Sequence, residues 1–313
     1  MGKRVFVIFN TTSIGDVLVT NTLVQNIKYF YPDSYIVFVC NTPIYDVAKY
    51  QADVDDVITY DKKRDNNIAG YLHFVKNFPY KKPFASFVTY ANERNLLFSR
   101  LIGAEHIISH NKFMLWNTKE KFKIKKYPHM KDQWGGMIEV LTGEHKNLPI
   151  KYNAPEINTP IIQKIKELNK PLPLSVTSNL AGKDMKVEDC AELINLINVE
   201  GYTPVMTGAG NIARKFTDDL KKNGCLDFID IVDCTSILEL ANVLKVCGSC
   251  ISVDTGTMHL ANALQVPVVG IFYMGISYMW GSDKTLYPSI MLDGKVSPQE
   301  IFNAYKELCG ISV

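Results

Sequence analysis

The chain has no apolar run near the roughly 18 residues of a membrane-spanning helix, no solenoid-type repeat and no long low-complexity segment. It also has no disulfide framework. Seven cysteines, an odd number at irregular spacing, fit reduced thiols in a cytoplasmic protein. Neither sign of charge predominates, with a net charge of only +2, and no nucleic-acid module or aromatic–basic platform is present. Met1-Gly2-Lys3-Arg4 before Val5–Phe9 looks like a signal start. Its apolar run is short and ends at Asn10-Thr11-Thr12-Ser13, so it reads as a first β-strand.

Hydrophobic residues make up 47% of the 313 residues and charged ones 21%, enough for two domains with sizeable cores. The charge is uneven. Residues 1–150 carry 20 Lys/Arg against 14 Asp/Glu, a balance of +6, whereas residues 151–313 carry −4. The first half could face an anionic partner such as a phosphorylated lipid or a membrane surface; ordinary surface variation explains the same numbers.

Arg4–Phe9, Tyr35–Cys40, Val57–Thr59 and Ala85–Val88 read as buried strands, and apolar spacing predicts one helix over Ile14–Tyr31. Pro149, Pro155 and Pro160 mark residues 145–160 as a linker. The alternation then restarts. Strands are predicted at Leu172–Thr177, Thr203–Thr207, Phe228–Ile231, Cys250–Val253 and Val268–Ile271, and helices at Val187–Glu200, Ile212–Lys222, Ser236–Lys245 and Thr257–Leu264. Strand–helix–strand alternation predicts an α/β protein with parallel sheets, two Rossmann-like lobes facing a cleft.

Two turns carry candidate chemistry. In Ile251-Ser252-Val253-Asp254-Thr255-Gly256-Thr257-Met258-His259 a buried strand runs through a tight turn into a helix. Backbone N–H groups, two hydroxyls and the positive end of a helix dipole would meet there, which suits a pyrophosphate. Gly256 would let a phosphate approach the backbone closely. Capping by Asp254 or Thr255 alone is the simpler reading, but it does not account for His259 one turn on. The second turn, Thr12-Ser13-Ile14-Gly15-Asp16-Val17-Leu18, lacks both the dinucleotide fingerprint and the lysine-bearing phosphate loop. It presents Asp16 at a helix start, either as an acid stabilising the first turn or as a general base.

These segments, with Ala261-Asn262-Ala263-Leu264-Gln265-Val266-Pro267 running into the next strand, resemble glycosyltransferase family 9, the ADP-heptose:lipopolysaccharide heptosyltransferases. Gly182-Lys183-Asp184-Met185-Lys186 is similar to a further family segment, although Met185-Lys186 stands where the family has Trp-Pro. The resemblance implies a GT-B architecture, with an acceptor-binding domain over residues 1–155 and a nucleotide-sugar-binding domain over 156–313. It allows the last helix to pack back on the first domain. It also implies an inverting, metal-independent transfer of a sugar, heptose from ADP-heptose, to a lipopolysaccharide-core or related acceptor. Asp16 would be the base, with Ser13 and Gly15 on the acceptor side. Lys183 would neutralise the leaving diphosphate. Ser178, Asn179, Thr255, Gly256 and Thr257 would contact phosphate, and Asp254 and His259 would orient the turn or touch the donor sugar. No metal or cofactor is implied; the nucleotide sugar, ADP-linked, is a substrate. The implied partners are this donor and an anionic glycan or lipid-linked acceptor, not nucleic acid. The implied location is the cytoplasm, with peripheral contact at the inner face of the membrane.

Some features point elsewhere. Gly208-Ala209-Gly210-Asn211 has no acid where some family members place one near the donor ribose, so either Asn211 makes that contact or the donor differs. Asp53-Val54-Asp55-Asp56 has an Asp-x-Asp metal spacing but lies in a polar loop. Cys247-Gly248-Ser249-Cys250 lacks a second pair and reads as packed thiols. Lys119–Lys126 alternates basic and apolar residues, as a solvated edge strand or a membrane-facing segment does. His73, His106, His110, His129 and His145 show no ligand spacing. A nucleotide-sugar epimerase of the same architecture and a non-catalytic nucleotide-sugar-binding protein are the alternatives.

Overall fold

The computed structural model describes residues 3–65, 67–90, 93–109, 120–121, 127–180 and 182–311. They form two compact units, Met1–Tyr152 and Asn153–Val313. The first contains β1 (Val5–Phe9), β2 (Tyr35–Asn41), β3 (Asp56–Tyr60), β4 (Ala85–Val88), β5 (His106–Ser109) and β6 (Glu120–Lys121). They lie in the order β3-β2-β1-β4-β5-β6, every neighbouring pair parallel. The second contains β7 (Pro171–Ser175), β8 (Thr203–Met206), β9 (Ile229–Asp230), β10 (Cys250–Val253), β11 (Val268–Phe272) and β12 (Ser289–Asp293). Their order is β12-β11-β10-β7-β8-β9, again wholly parallel. Read from its own first strand, each sheet is the doubly wound 3-2-1-4-5-6 arrangement of a Rossmann fold.

Parallel strands covered on both faces are apolar throughout, which is why β1, β4, β10 and β11 read so plainly in the sequence. In the first unit Val7, Phe9, Val37 and Val39 face Tyr71, Phe74, Phe78 and Phe98. In the second, Leu172, Leu174, Ile251, Val253 and Ile271 join Leu193, Ile194, Ile197, Phe302 and Tyr305. The last helix, Pro298–Leu308, packs on Val187–Val199 and on β11 and β12 of its own unit. A side chain at Gly270 of β11 would sit 2.9 Å from the Met258 sulfur, so this glycine lets the helix after β10 lie close on the sheet. No helix among the described residues is long and apolar enough to cross a membrane.

Two sequence expectations change. The helix predicted over Ile14–Tyr31 is two, Ile14–Val19 and Asn21–Phe30, broken at Thr20. The Thr20 hydroxyl donates to the Asp16 carbonyl at 2.7 Å, and the buried Asn10 amide donates to the same carbonyl at 3.2 Å and to the Thr20 hydroxyl at 2.8 Å. Both compete with the regular helical ladder. The proline-rich stretch 145–160 is no loose linker. Prolines deny it a ladder, and asparagine side chains replace one. Asn26 and Asn21 accept from the Lys146 and Lys151 amides at 2.7 and 2.8 Å. Asn242 donates to the Pro155 carbonyl and accepts from the Ile157 amide at 2.9 and 3.3 Å.

Of the histidines assigned nothing, His145 fastens this strap. Its Nε2 lies 3.8 Å from Asp132 and its Nδ1 lies 2.7 Å from Glu139. The Asp132 and Glu139 carboxylates raise the imidazole above its ordinary value of 6.5, against the opposing effect of burial; the shorter Glu139 contact is the hydrogen bond. A raised folded value means the contribution is complete below the unfolded value and is lost as pH rises through the folded one. His145→Gln should therefore cost about 1–2 kcal/mol near pH 6 and distinctly less near pH 8, measured by urea unfolding at both.

Candidate functional site

A doubly wound sheet opens at its switch point, where the first and fourth strands are neighbours and their following segments leave toward opposite faces. In the first unit that point lies between β1 and β4. After β1, Asn10 is fully buried and its Oδ1 accepts from the backbone amide and hydroxyl of Thr12. The turn is thereby held between β1 and the first helix. Ser13 and Asp16 then form a reciprocal capping box. The Ser13 hydroxyl donates to Asp16 Oδ2 at 2.7 Å and accepts from the Asp16 amide at 3.4 Å. Gly15 is buried beneath. After β4, the Thr89 hydroxyl donates to the Phe9 carbonyl at 2.9 Å, pinning the ends of β4 and β1 together. Tyr90 follows, and its hydroxyl donates to Asp16 Oδ1 at 2.7 Å. The Tyr90 ring meets that of Trp134 edge-on at 5.0 Å. Although 37% of Tyr90 is open to solvent, crowding about its phenol and the Asp16 carboxylate push its titration well above the ordinary range. The phenol is therefore a donor, not a base.

In the second unit the switch point lies between β7 and β10. The segment after β7 is folded on itself. Asp184 Oδ1 accepts from the Ser178 amide at 2.5 Å, Ser178 Oγ accepts from the Leu180 amide at 3.2 Å, and the Met185 amide returns to the Val176 carbonyl at 3.0 Å. Gly182 has a φ of +86°, a region that favours glycine. This geometry carries Lys183 to Asp254 just past β10, with Nζ 2.5 Å from Oδ2 and both side chains mostly buried, at 14% and 6% exposure. Thr255 precedes the helix Gly256–Ala263 with extended backbone and without a side-chain cap. The reading of this turn as a simple Asp or Thr cap therefore does not hold: Asp254 is committed to Lys183, and Thr255 caps nothing with its hydroxyl. Thr257 is buried, and its hydroxyl accepts from Ser175 at 3.1 Å. His259 is buried too, its Nε2 3.9 Å from Asp254 Oδ1 and its ring edge-on to Trp280 at 6.1 Å. Asn179 is exposed.

The structure thus brings Ser13, Gly15 and Asp16 together in the first unit, and Ser178, Lys183, Asp254, Thr255, Gly256, Thr257 and His259 together in the second. Sequence reasoning missed Tyr90 and Ser175, whose partners are 74 and 82 residues away in the chain, and Asn10 and Asp184, which brace turns that the local pattern does not specify. It also missed an acid beside Gly208–Asn211. Asp233 Oδ1 accepts from the Gly210 amide at 2.6 Å, and Arg214 lies 3.6 Å from its other oxygen. The signal was an aspartate in a post-strand turn, where it adopts a φ of +60°, a region aspartate tolerates better than most residues.

Three side readings resolve within the units. The Asp-x-Asp carboxylates serve separate partners: Gln25 donates to Asp53, Lys28 to Asp55 and Tyr80 to Asp56. Burial pushes the Cys247 thiol up to about 12 and raises that of Cys250 as well, as for packed thiols. Of the Lys119–Lys126 run, only the backbone of Glu120–Lys121 is described, as edge strand β6; the rest lies outside the described residues. Among the described residues no group of three or more His, Cys, Asp or Glu is arranged to hold a metal ion.

The family model of glycosyltransferase family 9 (heptosyltransferase) matches residues 97–278. No curated protein matches the chain. Among solved structures, a family 9 glycosyl transferase from Veillonella parvula is 20% identical with a TM-score of 0.81, covering 98% of each chain. The E. coli heptosyltransferase WaaC with ADP is 16% identical with a TM-score of 0.78, over 97% of this chain and 99% of its own. The E. coli ADP-heptose lps heptosyltransferase II is 14% identical with a TM-score of 0.75, over 97% and 98%. At these identities the likeness is one of fold, and that fold is GT-B, with two Rossmann-like parallel-sheet domains.

The Lys183–Asp254 pair gives a stability prediction independent of activity. Removing one partner of a mostly buried ion pair leaves an uncompensated charge. Lys183→Met should therefore cost about 2–4 kcal/mol, and adding Asp254→Asn should recover at least half of it. A denaturant-unfolding double-mutant cycle reads both.

Proposed function

Because the chain belongs to glycosyltransferase family 9 and is a glycosyltransferase, we propose that it transfers heptose from ADP-heptose, with inversion and without a metal ion, to a lipopolysaccharide-core or related cell-surface glycan. The observation that carries the reading is the second unit's switch point. There Lys183, Asp254 and the uncapped start of the Gly256–Ala263 helix meet beside the Thr255 hydroxyl. A cation and a helix N-terminus at one sheet edge suit a diphosphate. ADP as the bound nucleotide is supported by the likeness to WaaC, whose structure contains it.

In the proposed reaction Asp16 takes the proton of the acceptor hydroxyl, and the oxygen attacks the anomeric carbon. The bond from that carbon to the diphosphate oxygen breaks, and ADP departs with the electron pair. A single displacement inverts the anomeric centre. Lys183 and the amides at the start of the Gly256–Ala263 helix stabilise the charge that grows on the leaving diphosphate. That stabilisation is what a metal ion supplies in metal-dependent transferases, and here a fixed ammonium supplies it. The first unit binds the acceptor and the second the donor. An anionic glycan or lipid-linked acceptor suits the +6 balance of the first 150 residues, and such an acceptor would bring the protein to the inner face of the cytoplasmic membrane.

ADP at about 100 times its dissociation constant should stabilise the chain by roughly 2.7 kcal/mol, equally with magnesium and with EDTA, and more than UDP or GDP does. Thermal melting measures this; stabilisation that required magnesium would remove the metal-independent reading. Asp16→Asn should lower kcat for transfer by about 100- to 10,000-fold while leaving the ADP shift intact. Near-normal transfer by that variant would show that Asp16 is not the base.

A further inference from the structure

A carboxylate that accepts a proton must offer one oxygen to the incoming hydroxyl while the group itself is held still. Asp16 shows how this is arranged. Its Oδ2 is occupied twice by Ser13, from the hydroxyl at 2.7 Å and from the backbone amide at 3.4 Å. Its Oδ1 is held once, by the Tyr90 phenol at 2.7 Å. A carboxylate oxygen has two lone pairs, so among the described residues Oδ1 keeps one available and Oδ2 does not. The Ser13 bonds belong to an ordinary capping box and fix one edge of the carboxylate. The Tyr90 bond comes from the neighbouring strand, 74 residues away in the chain, and fixes the other edge. Tyr90 is itself held at both ends, by the Thr89–Phe9 staple and by the Trp134 ring.

We propose that Tyr90 is a positioning residue for the proton-accepting carboxylate: its phenol fixes the plane of Asp16 and leaves Oδ1 as the oxygen that receives the acceptor's proton. This rests on the reading of Asp16 as the base. Asp16 stands at the start of the first helix, and the tyrosine that aims it stands in the segment after β4. Tyr90 does not touch the reacting atoms. Its hydroxyl stays protonated beside the carboxylate and acts only through it. Among the described residues Tyr90 is the titratable group bonded to the Asp16 side chain.

Tyr90→Phe removes the phenol oxygen and keeps the ring that packs on Trp134. The expected result is a fall in kcat of about 10-fold, with KM for the donor unchanged and the melting temperature no more than slightly lowered. A purely structural tyrosine would lower the melting temperature and leave kcat in place, which would overturn the proposal. A second measurement needs no substrate. The segment Val5–Lys28 that trypsin releases contains one acidic side chain, Asp16, so carbodiimide labelling of this peptide reports on that carboxylate alone. Labelling should rise several-fold in Tyr90→Phe and stay level in the other acidic peptides. Unchanged labelling would overturn the tether whether or not the chain transfers heptose. Increased labelling with an unaltered kcat in an active enzyme would place the fault in the positioning role, and an inactive wild type would place it in the proposed function.

Discussion

A wholly parallel sheet sends every strand out at the same edge, and doubly wound order makes strands one and four neighbours there. Nearly everything chemical in this chain follows from that constraint. β1 and β4 deliver Asp16 and Tyr90 to one mouth, and β7 and β10 deliver Lys183 and Asp254 to another. The partners are 74 and 71 residues apart in the chain, yet each pair is joined by one hydrogen-bonded contact because the strands that carry it are adjacent. Both mouths are closed by a charge-assisted bond, the stronger class of hydrogen bond. In the first the carboxylate is the proposed actor and the tyrosine its support. In the second the cation is the proposed actor and the aspartate its support.

The edges around these mouths depend on buried asparagines. Irregular backbone inside a domain leaves amides and carbonyls without a ladder, and each must find a partner. An asparagine offers both donor and acceptor. Asn10 uses both, holding the turn after β1 against the break at Thr20. Asn21 and Asn26 serve the end of the first unit, and Asn242 serves the start of the second. The proline-rich strap is ordered by these side chains and by His145, so its composition and its conformation point in opposite directions.

That contrast explains what was legible in the sequence. The buried strands and the Asp254–His259 turn were readable because apolar continuity and turn chemistry are local properties. Both lobes followed from them, as did the expectation of a phosphate site at the second. The break at Thr20, the Asp184 brace beneath Ser178, the approach of Asp233 to Gly210 and the Tyr90–Asp16 bond were not readable. Each depends on a side chain brought in by a neighbouring strand or by a turn that the local pattern does not specify. The short strands β5 and β12 were missed for a related reason. At four and five residues they are partly exposed, and their pairing depends on a sheet already formed.

The Lys183–Asp254 pair also bears on how the proposed site would distinguish substrate from leaving group. A lysine already paired with a carboxylate contributes little net charge to a distant anion. As a diphosphate oxygen approaches, the ammonium is shared, and its gain grows with the charge on that oxygen. An esterified donor diphosphate carries less negative charge than the diphosphate released when the glycosidic bond breaks. The shared lysine therefore favours the late, charge-rich arrangement over the bound donor, and stabilisation concentrated there accelerates transfer rather than merely tightening substrate binding. Asp254 repels the same growing charge and so moderates the gain; what it supplies is position, holding the ammonium at the sheet edge. Its burial at 6% exposure keeps water from taking over its role. On the proposed reading, the aspartate beside the phosphate site is thus an electrostatic counterweight to the lysine as well as its anchor.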